Sequence, residues 1–317
     1  MISQKIGHLL NFIIIILPYI YTMYMVLHST WCTSHVGYIS MLTCTHTMKM
    51  YSYYRVNMYY REDTFESKEK DALPVSPYPN NISFSNFTLY MWMPVLVYEH
   101  SYPRNEKIRY RFLIWKLVQT FIGIFIAYQI VSDHIMPHVA KGDSISIIEL
   151  LIRLILPALV LTLTIFYVIW EGICNVFAEV TRFADRRFYD DWWNSTTYEE
   201  FNRKWNRAVY NFLFRHVYLE SIYKFKLSKK SAQMLTFLVS AILHEWILVL
   251  IFKIARPIMT VFMLQQIPLI YITKHMQNTR AGNLLVWWGL ILGTPLIMVC
   301  YLRCDPYVTK WYYQEFE

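Results

Sequence analysis

Apolar runs of about twenty residues recur along the chain, separated by segments rich in charge and proline. An α-helix rises about 1.5 Å per residue, so about twenty apolar residues cross a hydrocarbon core of roughly 30 Å. The runs lie at Leu9–Leu27, Val36–Tyr54, Leu117–Met136, Leu154–Trp170, Met234–Phe252, Pro257–Thr273 and Leu284–Leu302. The pattern predicts an all-α, polytopic transmembrane helical protein with about seven spanning helices, in which residues 1–317 form a single membrane-embedded domain.

Two apolar segments depart from a plain span. Val36–Tyr54 contains Lys49, so we expect this helix to end near Tyr53 and the lysine to snorkel towards the cytoplasmic face. Phe84–Val97 is apolar but short and is interrupted by Pro94, which favours an interfacial or re-entrant helix.

The polar segments carry most of the positive charge. Membrane proteins keep an excess of Lys and Arg in short cytoplasmic loops. Placing Lys5 in the cytoplasm therefore puts the loops at about 55–116 and 177–232 there too. The Asn-x-Ser/Thr sequons of these loops are Asn81, Asn86 and Asn194. Because glycans are added on the other side of the membrane, we predict that none of the three is glycosylated.

Within the second loop, apolar side chains recur at helical spacing. They are Tyr198, Phe201, Trp205, Ala208, Val209 and Phe212, and the opposite face carries Glu199, Arg203 and Arg207. The spacing predicts an amphipathic helix on or in the membrane surface. Asn202, Asn206 and Tyr210 form a polar line along it at i, i+4 and i+8. Asn206 could therefore present its amide to a reacting group.

Composition narrows the class further. Hydrophobic residues make up 56% of the 317 residues and the formal net charge is +8. The mean hydropathy is +0.26. A soluble domain of this size is less apolar, and this charge indicates lipid headgroups and anionic co-substrates rather than nucleic acid. The five cysteines form no CxxC pair, so neither a zinc site nor a disulfide framework is indicated. We also expect no bound metal and no cofactor.

Two ionisable residues, His244 and Glu245, interrupt the apolar run Ser231–Phe252. A charged group at the bilayer centre costs on the order of 2–4 kcal/mol, so the pair indicates a functional site facing a polar cavity. The alternative is a neutral His244 hydrogen-bonded inside the helix bundle, for instance back to Ser240 one turn earlier. A transporter or channel using the pair as a proton relay is a weaker alternative, because no matching pair of broken helices occurs.

The second loop also contains FYDDWWN at Phe188–Asn194, in which aromatic rings stand beside paired charges. Such a segment suits a membrane–water boundary, where a ring is half buried and its polar neighbours stay wet. On physical grounds alone, an interfacial aromatic belt is the simplest interpretation of this motif.

The order of the motifs makes the sequence similar to a known family. FYDDWWN is followed by Trp205-Asn206 and then by SAILHEW, and this order resembles the sterol and diacylglycerol acyltransferase branch of the membrane-bound O-acyltransferases. MKMYSY at 48–53 and YPRNEKIR at 102–109 extend the resemblance, which covers roughly residues 46–304. Two long motifs in the expected order make chance similarity implausible.

The resemblance implies transfer of a fatty acyl group from acyl-CoA, the co-substrate, to a lipid hydroxyl at the endoplasmic reticulum membrane. In such an enzyme His244 is the catalytic general base and Asn206 orients or stabilises the acyl carbonyl. The positions assigned to substrate binding are Tyr189, Asp191, Trp192, Trp193, Asn194, Trp205, Glu245, Met263 and Gln266. For Glu245, structural pairing inside the bundle is an equal alternative. Membrane lipids are further expected partners, a homo-oligomer stays open, and the intact His244 and Asn206 argue against a relative that binds lipid without turnover.

The acceptor is the finer question. Segments that look closer to type 1 diacylglycerol acyltransferases are Tyr78–Phe84, Pro94–Glu99, Arg215–Tyr218, Gln266–Pro268 and Gly282–Trp287. Asn194–Tyr198 looks closer to the sterol enzymes, and Tyr210, Trp246 and Thr294 depart from the usual pattern. We expect diacylglycerol as the acceptor and triacylglycerol as the product, with a sterol or wax alcohol as the alternative.

Overall fold

The computed structural model describes residues 4–62, 78–141 and 144–303, and this part of the chain is helical without a β-strand. The helices are α1 (Gln4–Leu27), α2 (Thr33–Arg61), α3 (Phe84–Trp92), α4 (Tyr110–Val139), α5 (Ile147–Val180), α6 (Tyr198–Trp205), α7 (207–223), α8 (Lys229–Phe252), α9 (Ile258–Leu264), α10 (Gln266–Lys274) and α11 (Arg280–Arg303). The π-helical turns inside α4, α5 and α7 are Ile130–Ile135, Val168–Ile173 and Phe214–Leu219. The all-α prediction is confirmed.

Five of the described helices are long and apolar enough to cross a membrane, namely α1, α4, α5, α8 and α11. The predicted count of seven is not confirmed. The helix α2 has 29 residues but is close to neutral in hydropathy. The apolar run predicted as a span at 257–273 is divided into α9 and α10 at Gln265, and each piece is shorter than a membrane crossing. The short helix predicted near Phe84 is present as α3.

The chain divides into two compact units. The first unit comprises Met1–Arg109, Phe177–Arg186 and Ala208–Thr236. The second unit comprises Tyr110–Val176, Arg187–Arg207 and Phe237–Glu317. The single domain predicted from the sequence stays a prediction.

In the first unit, α1 packs along α2 through small hydroxyl side chains. The Thr22 and Thr43 hydroxyl oxygens lie 2.8 Å apart, and Thr47 donates to the Tyr19 hydroxyl at 2.8 Å. The polar side chains of α2 thus point into the unit and find partners there. This explains why α2 is long yet polar on average, since its interior face is not the apolar one.

Lys49 contradicts the predicted snorkelling. Its side chain is 2% exposed, and its ammonium donates to the carbonyls of Met93 at 2.7 Å and Val95 at 2.6 Å. The ammonium also lies 4.4 Å from the centre of the Tyr90 ring. The prediction is wrong because α2 continues past its expected end, and because the turn after α3 offers carbonyls that a buried cation satisfies.

A buried polar network in the first unit links α2 to α7. His216 accepts from Ser52 at Nε2 over 2.8 Å, and its Nδ1 lies 3.2 Å from the Glu220 carboxylate. Arg55 forms a 2.9 Å ion pair with Glu220, with the two side chains 8% and 6% exposed. Tyr51 donates to the same carboxylate at 3.2 Å. A cavity of about 940 Å³ adjoins Arg55 and Glu220.

In the second unit, α4, α5 and α11 share an apolar core that includes Ile130, Leu154 and Val299. The helices α4 and α5 approach closely at Gly172, where an added Cβ would clash with the Thr120 hydroxyl. Small residues at such crossings let helix backbones pack tightly where burial against lipid gives little driving force. These three helices form the support on which the candidate site is built.

Candidate active site

His244 lies on α8 and uses one ring nitrogen within its own helix. Its Nδ1 lies 2.8 Å from the Ser240 carbonyl oxygen, and the side chain is exposed. A carbonyl can only accept, so Nδ1 carries a hydrogen, and in the neutral imidazole the lone pair is on Nε2. The bond to Ser240 anticipated from the sequence is present, although the ring is not enclosed by a helix bundle. This tautomer is the one a general base requires at Nε2.

Glu245, the next residue, has both carboxylate oxygens engaged. One oxygen accepts the backbone N–H of Thr260 at 2.7 Å and the other accepts the Tyr301 hydroxyl at 2.8 Å. The first turn of α9 has N–H groups without partners in that helix, so Glu245 caps it from α8. These bonds run to α9 and α11 rather than to His244. The geometry is that of the structural pairing weighed for this residue.

Asn206 interrupts the amphipathic helix predicted from Tyr198 to Phe212. The helix α6 ends at Trp205, Asn206 has φ −145° and ψ 87°, and α7 begins at the next residue. The predicted continuous polar line from Asn202 to Tyr210 is therefore wrong. The amide of Asn206 instead lies at a kink between two helices. Its direction therefore depends on the non-helical backbone of Asn206 itself rather than on the regular geometry of either helix.

Residues of FYDDWWN contact the chain on both sides of this kink. The Asp190 N–H donates to the Lys204 carbonyl at 2.9 Å, and the Arg207 N–H donates to the Phe188 carbonyl at 3.1 Å. The carboxylate of Asp191 pairs with Lys204 at 2.7 Å. The hydrogen bond and charge of Lys204 hold the pKa of Asp191 below its usual value, so this carboxylate stays ionised.

Tyr189 points the other way, into α4 and α5. Its hydroxyl donates to Glu171 at 2.8 Å, and Lys116 pairs with the other oxygen of the same carboxylate at 2.8 Å. Burial, followed by the neighbouring Glu171 carboxylate, raises the pKa of Tyr189 to about 12. The hydroxyl is therefore a permanent donor near neutral pH.

The tryptophans of the motif pack inside the second unit. Trp192 is 4% exposed, and its ring centre lies 4.8 Å from that of Trp205. Trp193 is 44% exposed, but its carbonyl accepts the Trp287 indole N–H at 3.0 Å and the Asn283 amide at 2.8 Å. A belt at the membrane boundary does not describe a motif whose central ring is buried and whose backbone is held by α11.

The remaining predicted residues are distributed around these elements. Asn194 lies beside Asp191, with its amide 3.5 Å from the carboxylate. Met263 is buried in α9. Gln266 begins α10 and accepts the Asn202 amide at 3.3 Å. Asn202 is thus linked to one of the positions assigned to substrate binding.

Three residues that contribute to the candidate site were not predicted from the sequence. Asp190 lies inside the motif beside Asp191 but was not among the selected residues, and a pair of acids in a signature motif was a usable signal. Thr260 and Tyr301 hold Glu245 from positions 15 and 56 residues further along the chain, respectively. No local pattern marks residues that act across such separations.

The sequence of the chain is similar to those of known proteins. Residues 3–303 match the membrane-bound O-acyltransferase family. The chain is 37% identical over 236 residues to the probable sterol O-acyltransferase 1 of Schizosaccharomyces pombe, covering 71% of this chain and 44% of that protein. It is 34% identical over 275 residues to diacylglycerol O-acyltransferase 1 of Dictyostelium discoideum, covering 84% of this chain and 44% of that protein.

A plant relative matches along almost the whole chain. The identity to diacylglycerol O-acyltransferase 1C of Glycine max is 31% over 317 residues, covering 95% of this chain and 60% of that protein. The chain spans less than half the length of the fission-yeast sterol enzyme and of the amoebal enzyme. The chain belongs to the membrane-bound O-acyltransferase family and is a multi-pass membrane protein.

Proposed function

We propose that this protein transfers a fatty acyl group from acyl-CoA to the hydroxyl of diacylglycerol, forming triacylglycerol in the endoplasmic reticulum membrane. The observation that carries the proposal is the state of His244, whose Nδ1 is occupied by Ser240 and whose Nε2 is left to accept a proton. An alcohol is a poor nucleophile until a base removes its proton as attack proceeds. His244 Nε2 is that base.

The reaction is direct and needs no further reactant. The acceptor oxygen attacks the thioester carbonyl while its proton passes to His244 Nε2, giving a tetrahedral oxyanion. The C–S bond then breaks, the carbonyl re-forms as an ester, and the CoA thiolate takes the proton back from the imidazolium. Asn206 donates its side-chain amide to the developing oxyanion, a neutral donor that costs less to bury than a charge.

Substrate entry follows from polarity. Acyl-CoA is anionic and approaches from the side with the basic loops, while the acceptor is apolar and arrives through the bilayer. Trp205, Met263 and Gln266 line the acyl and acceptor paths in this proposal, with the FYDDWWN residues beside them. Glu245 serves this path indirectly, since it fixes the start of the helix that carries Met263.

The acceptor is tested directly with purified protein in lipid nanodiscs and labelled acyl-CoA. Diacylglycerol, a sterol and a fatty alcohol are offered separately, and we expect label in triacylglycerol above the other products. His244→Ala, assayed in parallel, separates enzymatic ester from background. Label in none of the three esters would refute acyl transfer to lipid alcohols.

A sterol acceptor is the second candidate, favoured by the 37% identity to the fission-yeast sterol enzyme. Thr294 distinguishes the diacylglycerol candidate from the sterol candidate, because a Gln at this position would present a longer polar side chain to the acceptor. We expect Thr294→Gln to keep or improve acylation of diacylglycerol and to suppress activity on bulkier alcohols. Steryl ester as the main product, unchanged in Thr294→Gln, would establish the sterol candidate instead.

A further inference from the structure

We propose that residues 188–191 of FYDDWWN are a positioning device for Asn206, which they hold at a kink between two helices, and that they act through Asn206 rather than on the substrate. The inference rests on the catalytic role proposed for Asn206 and adds the residues that orient it. We call Phe188, Asp190 and Asp191, with their bonds to Lys204 and Arg207, the bracket.

The kink at Asn206 is not caused by a glycine or a proline. The segment 198–213 contains neither glycine nor proline and would be expected to form one helix. A break exposes backbone groups that a continuous helix would pair, and such groups need partners from elsewhere. The non-helical φ and ψ of Asn206 therefore call for an external restraint.

The bracket supplies that restraint on both sides of the kink. On the N-terminal side, Lys204 is held by its carbonyl and by its ammonium. On the C-terminal side, the Arg207 N–H is held by the Phe188 carbonyl, and its guanidinium lies 3.4 Å from Asp190. Two backbone bonds and two ion pairs thus flank Trp205 and Asn206 and restrain the backbone at the kink.

Tyr189 ties the bracket to the membrane helices. It sits between the two backbone contacts of the motif, and its hydroxyl reaches Glu171 on α5, which Lys116 of α4 holds in turn. Lys116 is 9% exposed and the Glu171 side chain is 32% exposed, so this anchor is partly shielded from solvent. A hydrogen bond to an ionised acceptor in such surroundings is stronger than a neutral one. In this way Asn206 is tied, through Tyr189, to the packed helices α4 and α5.

The first test removes the anchor and measures the bracket without relying on activity. In Tyr189→Phe the ring stays and the bond to Glu171 is lost. We expect hydrogen exchange, followed by mass spectrometry on the detergent-solubilised protein, to be roughly tenfold faster in peptides covering 188–207 and unchanged in α11. Tyr128→Phe is the matched control, since Tyr128 is an exposed tyrosine on α4. Exchange in 188–207 that is the same in Tyr189→Phe and in wild type would overturn the bracket.

The second test asks whether the motif acts through Asn206. We expect Tyr189→Phe to lower kcat roughly tenfold with little change in KM for acyl-CoA, and to have less than a twofold effect in the Asn206→Ala background. A general structural weakening, or direct contact of the motif with substrate, would lower activity by the same factor in both backgrounds and would refute the inference. If wild-type protein makes no ester, the proposed function fails, and the exchange measurement still decides the bracket.

Discussion

His216 and His244 both lie on helices, but they differ in how many of their ring nitrogens have a partner in the protein. His216, in the first unit, accepts from Ser52 and faces Glu220, so both nitrogens are engaged, and it is 3% exposed. His244, in the second unit, is exposed, and within residues 4–62, 78–141 and 144–303 only its Nδ1 has a partner, a carbonyl of its own helix. Residue type does not separate the two, but the second ring nitrogen does.

The difference indicates a different role for each of the two histidines. The Glu220 carboxylate can only accept, so a neutral His216 carries its hydrogen on Nδ1 and accepts from the Ser52 hydroxyl at Nε2. His216 Nδ1 then donates to Glu220, and the network is closed. A closed network stabilises the fold and has no position left for a substrate proton. An Nε2 that the fold leaves uncommitted costs some stability and is useful only if something else binds to it.

The largest expected effect comes from removing the uncommitted nitrogen. We expect His244→Ala to lower acyl transfer by roughly two to four orders of magnitude, because the base is lost. The melting temperature should hardly change, since the lost side chain bonds only within its own helix. Turnover and thermal unfolding are measured on the same purified sample. Near-wild-type turnover would show that His244 is no more catalytic than His216.

The opposite result is expected for the closed network. Glu220→Ala leaves Arg55 and His216 without their shared partner, and we expect the free energy of unfolding to fall by about 3 kcal/mol. This is the lower end of the cost for a buried pair, because a cavity beside the pair lets water replace part of the lost contact. Denaturant unfolding in detergent measures it. Activity per folded molecule should fall less than tenfold, and a larger loss would bring this network into the catalytic machinery.

The sequence predicted well the features that depend on local pattern. The apolar runs at α1, α4, α5, α8 and α11 are long enough to be read without their neighbours. Lys49 could not be placed in this way, because its carbonyl partners lie 44 and 46 residues away in the chain. The local signal is only a charge in an apolar run, and snorkelling is its simplest interpretation.

The candidate site shows the same limit. The motifs identified His244 and Asn206, and the bond from His244 to Ser240 follows from helical spacing alone. The kink at Asn206 was missed because it is imposed by Phe188 and Asp190, and a helical pattern gives no sign of such bonds. The partners of Glu245 were missed for the same reason.

Glu245 tests whether adjacency to His244 gives a residue a chemical role. Tyr301→Phe removes one of its two bonds and leaves the ring stacked on Phe252, whose centre is 4.6 Å away. We expect a loss of about 1–2 kcal/mol in the free energy of unfolding and a change of less than threefold in kcat. Both quantities are read on one nanodisc preparation. A loss of activity as large as that of His244→Ala, without loss of stability, would make Glu245 part of the chemistry.

The smallest effect, a dependence of stability on pH, sharpens the comparison most because it reads His216 directly. Burial lowers the pKa of His216, and the charges of Arg215 and Arg55 act in the same direction, against the opposing effect of Glu220. The folded protein therefore holds His216 neutral, and stability is full above the ordinary histidine pKa of about 6.5 and is lost as pH falls through the lowered value. Glu220 also has a lowered pKa, since His216 and Arg55 outweigh its burial, but its loss begins only below about 4.5. Melting temperatures between pH 7.5 and 5 should fall for wild type and stay nearly level for His216→Gln, which cannot titrate. Equal slopes in the two proteins would mean that His216 is not held neutral, and the closed network would lose its distinction from His244.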